Sequence, residues 1–530
     1  MLSTIFESPT IYDGSGGAPF VTDIALSGDR IVHIGDCRER DAVERIACAG
    51  LAVSPGSIDV HSHSDGLWLI DGRALGKIYQ GVTTEIAGNC GTSVAPLSGF
   101  AYEKARAEMR TYRADVEWAD LREFFDLVER GGVALNVATL IGLGTARACV
   151  SGPDDRRLED HELRALTRLV YESVEQGAIG VSSGLIYEPG RYADERELIA
   201  CARAAREAGQ PLYASHIRNE GDDLIDAVRE ALAIGEGAEV AVQCSHHKAA
   251  GRKNWGKVHH SLELIDRARA RGMAVHADVY PYVASWTELA TILPDATRSG
   301  GTAATLERLR DPEAALAVQL ALKLQREVEG GDTWHDILVT DVGSERNASL
   351  AGMRIDEIAE RWRMSPARAA IRLLDEEDLD VQCAFFSMNE DDVATVMSAE
   401  FTCIGSDASA RAFDGITARG VPHPRTYGCF PRIVGRYVRE RRTFSLEEAV
   451  RRMTSLPASI FGIRDRGTLR VGAYADMVVF DPANVRDTAT YERPYAKPVG
   501  IRDVFVNGQG VVRNGEATRA RPGRALRGGG

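Results

Sequence analysis

Ser54-Pro55-Gly56-Ser57-Ile58-Asp59-Val60-His61-Ser62-His63 decides how this chain is read. A short, mostly apolar run ends in two histidines spaced i, i+2. Alternate residues of a strand share a face, so both imidazoles point the same way from its C-terminal end. A buried strand delivers two nitrogen ligands to one metal ion in this manner. Histidines two apart arise often by chance, so the pair alone is a weak signal. It gains weight because further candidate ligands stand at the ends of later strands: Cys90, His216, His246 and Asp407.

Outward from that motif, short apolar runs alternate with amphipathic helical patterns. Strands are predicted at 57–61, 83–88, 135–141, 178–183, 211–216, 239–246, 273–280 and 401–407, and helical patterns fall between them at 194–208, 222–234 and 261–271. Eight strands with intervening helices predict an α/β fold, a (β/α)8 TIM-type barrel. Catalytic groups of such barrels sit at the C-terminal ends of strands, where every candidate above lies. The interval before the last strand is too long for one helix. Residues 287–345, with Pro294, Ser299-Gly300-Gly301 and a helical run at 312–329, therefore read as an insertion between late barrel strands. Both chain ends are rich in short strands, with hairpin signals at Ser27-Gly28-Asp29-Arg30 and Asn507-Gly508. They predict one small β-sandwich domain formed by both termini. The expected division is 1–54 and 465–530 for that domain, 55–286 and 346–464 for the barrel, and 287–345 for the inserted segment.

Composition narrows the function classes. The 530 residues carry 77 acidic against 63 basic side chains, a formal charge of −14, which disfavours nucleic acid and anionic membranes as partners. Hydrophobic content of 44% and charged content of 26% describe a soluble globular protein. No apolar run approaches the ~18 residues of a membrane span, and no signal peptide is visible. Nine cysteines without CxxC or paired spacing predict a reducing cytoplasm rather than a disulfide scaffold.

Each candidate also has a plainer reading. Cys90, in Gly88-Asn89-Cys90-Gly91, is either a small buried residue or a thiolate on zinc, with the glycines letting backbone approach the ion. His246 and His247 are adjacent, so only one can ligate, and strand alternation does not choose between them. Asp407 can be the N-cap of the next helix. His33, His161, His335 and His259-His260 lack strand-end context and read as structural or exposed.

The ordered set of HxH, Cys, His, His and Asp is far more specific than any member. With it stand Gln80-Gly81-Val82-Thr83-Thr84, Gly88-Asn89-Cys90-Gly91-Thr92-Ser93, Gly184-Leu185-Ile186-Tyr187-Glu188-Pro189-Gly190, Ser215-His216-Ile217-Arg218, Ser245-His246-His247-Lys248, Tyr280-Pro281-Tyr282, Gly405-Ser406-Asp407 and His423-Pro424-Arg425. Over nearly its whole length the chain resembles the amidohydrolase superfamily and, within it, the N-acyl-D-amino-acid deacylases (D-aminoacylases). The Gly-Asn-Cys-Gly and Ser-His-His-Lys elements separate that branch from hydantoinases and dihydroorotases.

The resemblance implies zinc-dependent hydrolysis of the amide of N-acyl-D-amino acids, a small-molecule substrate. It implies one tightly held zinc on Cys90, His216 and His246, with a looser second position at His61, His63 and Asp407. Cys90 takes the place of the carboxylated lysine that bridges two metals in many relatives. Asp407 is the expected general base, and Lys248, Tyr280 and Arg425 the expected clamp for the substrate α-carboxylate, with Tyr192 lining the same pocket. Two departures stand out. Ser285-Trp286-Thr287 replaces the usual Gly-Ser-Thr after Tyr-Pro-Tyr, so Trp286 reshapes the pocket, and Ser57 replaces a bulky apolar residue. An acidic substrate side chain needs a further cation; Arg218 is one candidate, unless it pairs with Glu220. Two other readings compete. A cyclic-amide or N-carbamoyl hydrolase leaves Lys248 and Arg425 without a role, and a non-catalytic amidohydrolase-like scaffold should have lost ligands, of which none is missing.

Overall fold

The computed structural model describes residues 2–328 and 333–528. The last residue of the expected helical run, Glu329, lies outside them. Parallel strands dominate the middle of the chain. Ser57–Asp59, Val82–Ala87 and Asn136–Thr139 form one ladder, and Ile141–Gly142, Val181–Gly184, Leu212–His216, Ala241–Cys244, Val275–Val279 and Thr402–Ile404 form the next. Only Leu140 separates Asn136–Thr139 from Ile141–Gly142, so the two ladders run on through one interrupted strand. The last strand returns to the first: Asp407 N donates to His61 O at 2.7 Å, His63 N donates to Ala408 O at 3.2 Å, and Ser62 bridges Ala408. The strands therefore follow one another in a ring.

Most ring strands are buried along their whole length, on both faces, including polar residues such as Thr84, Glu85, Asn136 and Ser182, so they show no in-out alternation of burial. Side chains from successive strands meet in one cluster with Ile58, Val60, Ile86, Leu140, Leu212 and Cys403. Helices cover the ring, among them Glu195–Glu207, Leu224–Ala238 and Lys257–Ala270. The first starts where Asp194 accepts the Glu197 N–H, a side-chain cap legible in sequence. The last starts one turn before the predicted 261, because Gly256 takes φ 88° and turns the chain into the helix.

Both termini build two sheets around a shared core. Leu2–Glu7, Ile24–Ser27, Arg30–Ile34 and Ala42–Ala47 form a four-stranded sheet. Thr10–Ile11, Phe20–Val21 and Ala52–Pro55 join four C-terminal strands in a seven-stranded one. Phe6, Leu26, Val53, Met477, Val479 and Phe505 fill the space between, with the Phe6 and Phe505 rings edge-on at 5.1 Å. Ser27 pairs with Arg30 and Val506 with Gln509 across the two hairpins. Asn507 and Gly508 both take positive φ, 47° and 76°, as a two-residue loop of this kind demands.

Two boundaries differ from the sequence reading. The chain after Ala517 leaves the terminal sheets: Gly523 N donates to Val133 O, Leu526 N to Val137 O and Gly528 N to Gly177 O, tying the tail to the ring. Inserted structure also extends past 345. Val381–Phe385 pairs antiparallel with both Ser285–Glu288 and Ile337–Val342, and this three-stranded sheet has its own core with Ile355, Ile358, Leu373 and Leu374. The helices Ile355–Trp362 and Pro366–Glu376 carry the same amphipathic period as ring helices, so local pattern could not assign them to the insertion.

Candidate active site

His61 and His63 follow the first ring strand, Cys90 the second, His246 the sixth and Asp407 the eighth, while His216 ends the fifth. The fold brings their side chains together. His61 Nε2 lies 3.2 Å from Cys90 Sγ, which lies 3.4 Å from His246 Nε2, itself 3.0 Å from His216 Nδ1. Asp407 Oδ1 is 3.1 Å from His63 Nε2 and 3.6 Å from His61 Nε2. Among the described residues, three sets of donors have all their ligand atoms within 4.8 Å: His61, Cys90, His246; His61, His63, Asp407; and His216, Glu220, His246.

Strained backbone aims these groups. Cys90, His246 and Asp407 have φ of 51°, 34° and 51°, the left-handed region that costs a non-glycine residue about 1–3 kcal/mol unless its surroundings hold it. Glycines flanking Cys90 let the loop pass close to its neighbours: a Cβ on Gly88 would lie 2.0 Å from Leu140 O, and one on Gly91 2.6 Å from Gly184 N. The turn at His246 decides between the adjacent histidines. His246 enters the cluster, whereas His247 Nε2 meets Ser261 Oγ at 2.7 Å. Asp407 is no N-cap, since the next helix begins only at Arg425.

Two acids that the sequence reading missed orient the imidazoles. Asp278 Oδ1 faces His61 Nδ1 at 3.1 Å and accepts the His246 N–H at 2.8 Å. Glu220 Oε1 lies 2.9 Å from His246 Nδ1, its Oε2 lies 3.8 Å from His216 Nε2, and it also pairs with Lys248. A carboxylate on the far nitrogen of an imidazole fixes the tautomer and leaves the near lone pair for a cation. Asp278 stands two residues before Tyr280 on the same strand face, and Glu220 four after His216; those spacings were the available signals.

The electrostatics suit a cation. Burial opposes ionisation of Cys90, yet His61 and His246 beside it hold the thiol well below its ordinary range. Burial lowers His216, leaving it neutral with a free lone pair. Burial pushes Asp407 up, but the Arg425 guanidinium and the hydrogen bond from His63 hold it well below the usual carboxylate range. A thiolate with buried imidazoles is the donor chemistry of zinc.

A cavity of about 850 Å3 opens over the cluster, lined by His63, Cys90, Lys248, Tyr280, Asp407 and Arg425 and, farther out, by Tyr187 and Trp286. The Tyr280 hydroxyl is buried with no hydrogen-bond partner among the described residues. Arg425 is buried, with Cζ 4.5 Å over the Tyr280 ring and Nη1 3.0 Å from Asp407 Oδ2. Tyr192 is not part of this wall: the tight turn after Pro189 carries its ring to Arg191, beside Glu188. Tyr187 lines the cavity instead, its ring 5.1 Å from that of His216 and its hydroxyl 3.1 Å from Thr287 Oγ1. Arg218 is committed to Glu230 at 2.8 Å rather than to Glu220 or the cavity.

The chain is similar to known proteins over nearly its whole length. The amidohydrolase family matches residues 354–512. An N-acyl-D-glutamate deacylase from Alcaligenes xylosoxydans xylosoxydans is 36% identical over 528 residues, spanning 99% of this chain and 96% of the relative. The chain belongs to the D-aminoacylase family of amidohydrolases. The crystal structure of N-acyl-D-glutamate deacylase from Bordetella bronchiseptica, complexed with zinc and a phosphonate mimic of the tetrahedral intermediate, is similar at TM-score 0.83 with 34% identity over 99% of both chains. A D-aminoacylase structure concerned with the role of its binuclear metal centre is similar at TM-score 0.83, 33% identical, over 99% of this chain and 100% of that one. Among the described residues, no helix of this D-aminoacylase family member is long and apolar enough to cross a membrane.

Proposed function

We propose that this chain is a zinc-dependent hydrolase of the linear amide of N-acyl-D-amino acids, releasing a carboxylate and a free D-amino acid. The observation that carries this reading is the approach of Cys90, His216, His246 and Asp407 in one cavity that also presents Lys248, Tyr280 and Arg425. The relatives' names supply the D-enantiomer. The closed order of parallel strands supports a (β/α)8 barrel, and the two packed terminal sheets support the β-sandwich.

Cys90, His216 and His246 would hold the tighter zinc, and His61, His63 and Asp407 a weaker second one. Zinc, when bound, polarises the scissile carbonyl and lowers the pKa of water. Asp407, ionised at neutral pH, takes the proton of the attacking water and hands it to the leaving amine. Arg425 reaches the substrate α-carboxylate with a planar fork of donors. The partnerless Tyr280 hydroxyl and the Lys248 ammonium complete that clamp. Asp278 and Glu220 keep the imidazoles in register while this happens.

A panel of N-acetyl- and N-formyl-D- and L-amino acids, read by released amine alongside zinc analysis, tests the proposal. Turnover confined to D-substrates with a free α-carboxylate is the expected result. Turnover confined to cyclic amides or N-carbamoyl compounds would favour the first competing reading, and inert zinc-loaded protein the scaffold reading.

A further inference from the structure

Cations and aromatic rings alternate along one wall of the cavity. Lys248 Nζ lies 5.7 Å from the Tyr280 ring centre, Arg425 Cζ lies 4.5 Å from the same ring and 5.9 Å from Trp286, and Arg411 Cζ lies 5.2 Å from Trp286. Trp286 is fixed by its Nε1–H, which donates to Thr340 Oγ1 at 2.8 Å. One indole thus separates the expected α-carboxylate clamp from a second guanidinium, and both guanidinium groups line the cavity.

The cavity's cations differ in what neutralises them. Lys248 pairs with Glu220, Arg425 with Asp407 and Arg298 with Asp295. Lys104 sits in the field of Glu108 and Glu288. Arg411 has no carboxylate partner among the described residues: its Nη1 donates to Arg419 O at 3.1 Å, and its Nε is buried with no hydrogen-bond partner. Its backbone is held, since Gly76 N donates to Arg411 O at 2.9 Å. A guanidinium so placed offers a fixed fork of donors to an anion entering beside Trp286.

We propose that Arg411 determines side-chain specificity by receiving a carboxylate on the substrate's side chain, so that the preferred substrates are N-acyl derivatives of acidic D-amino acids. The inference rests on the deacylase reading and adds the substrate class. The α-carboxylate meets Arg425, the side-chain carboxylate meets Arg411, and the indole of Trp286 packs against the methylenes between them. Trp286, which departs from the family pattern, then acts as the spacer between two anion sites.

The test compares kcat/KM for N-acetyl-D-glutamate, N-acetyl-D-glutamine and N-acetyl-D-methionine in the zinc-loaded wild type, Arg411→Gln and Arg411→Lys, with melting temperature and zinc content measured on each. The wild type should favour glutamate over its neutral amide by about tenfold or more, the scale of one charge-assisted contact. Arg411→Gln should collapse that ratio, chiefly through KM for glutamate, and Arg411→Lys should restore part of it. A wild type that prefers glutamine or methionine overturns the proposal. So does an Arg411→Gln protein that loses all three substrates in equal proportion, which would leave the guanidinium only a support for the 411–419 loop. If Arg411→Gln does not fold, the Arg411→Lys ratio decides alone, and an unchanged preference refutes the assignment. Silence of the wild type on every D-substrate is a separate outcome: it refutes the deacylase reading, and the inference falls with it.

Discussion

Two buried charge clusters hang on the same ring strands and differ in whether they are closed. Lys77, Asp59 and Glu85 have no exposed surface. The Lys77 ammonium reaches Asp59 Oδ2 at 2.6 Å, Ser406 Oγ and Ala408 O at 2.8 Å, and Glu85 Oε1 at 2.9 Å. Glu85 accepts further bonds from Ser62, Ser64 and Trp68. Every donor and acceptor there is used, and the first, second and eighth strands are pinned together. Among the described residues, the neighbouring candidate site leaves Tyr280 Oη and Arg425 Nε without hydrogen-bond partners. A saturated network fixes backbone; an unsaturated one keeps bonding capacity for something that arrives. The first positions the second, because Ser406 and Ala408 flank Asp407.

That contrast is open to attack, most severely at the ligands. Cys90→Ala should lose tightly bound zinc by elemental analysis and with it all measurable turnover; retained metal would break the assignment. Asp407→Asn should lower kcat by about 10²–10⁴-fold, the usual contribution of a positioned proton carrier, while the tighter zinc on Cys90, His216 and His246 is retained and the chain still folds. Lys77→Met strips the closed cluster of its cation and leaves two buried carboxylates unpaired. It should cost about 3–5 kcal/mol in denaturant unfolding, and a loss below about 1 kcal/mol would show that the network is not the clamp described. Glu220→Gln is the mildest, weakening zinc affinity by about 10–100-fold in chelator competition without unfolding the chain, as expected for a group that orients ligands.

The ring strands and the candidate ligands at their ends were legible because short buried strands recur between amphipathic helical patterns, and the candidate side chains stand at strand ends. His216, Cys90 and Asp407 needed only position. The acids Asp278 and Glu220 were harder, since a carboxylate that serves a histidine across the ring has no local spacing of its own. Tyr192 was expected in the pocket only from the family resemblance, and the tight turn at Gly190–Tyr192 that sets the direction of its ring leaves no mark in a motif comparison. The insertion's second half was hidden for a similar reason: antiparallel pairing between residues about a hundred positions apart leaves no periodic trace. Arg411 carried no local signal, because only the fold brings its guanidinium beside Trp286.

Ser285 pairs with Phe385, so the inserted region departs from the ring and rejoins it at neighbouring points of one small sheet. Such a module is exchangeable: a relative's counterpart could be grafted between those two positions without moving a single ligand. Trp286 lies at the graft junction, so substrate choice could diverge among relatives by replacement of one cassette while the hydrolytic machinery stays untouched.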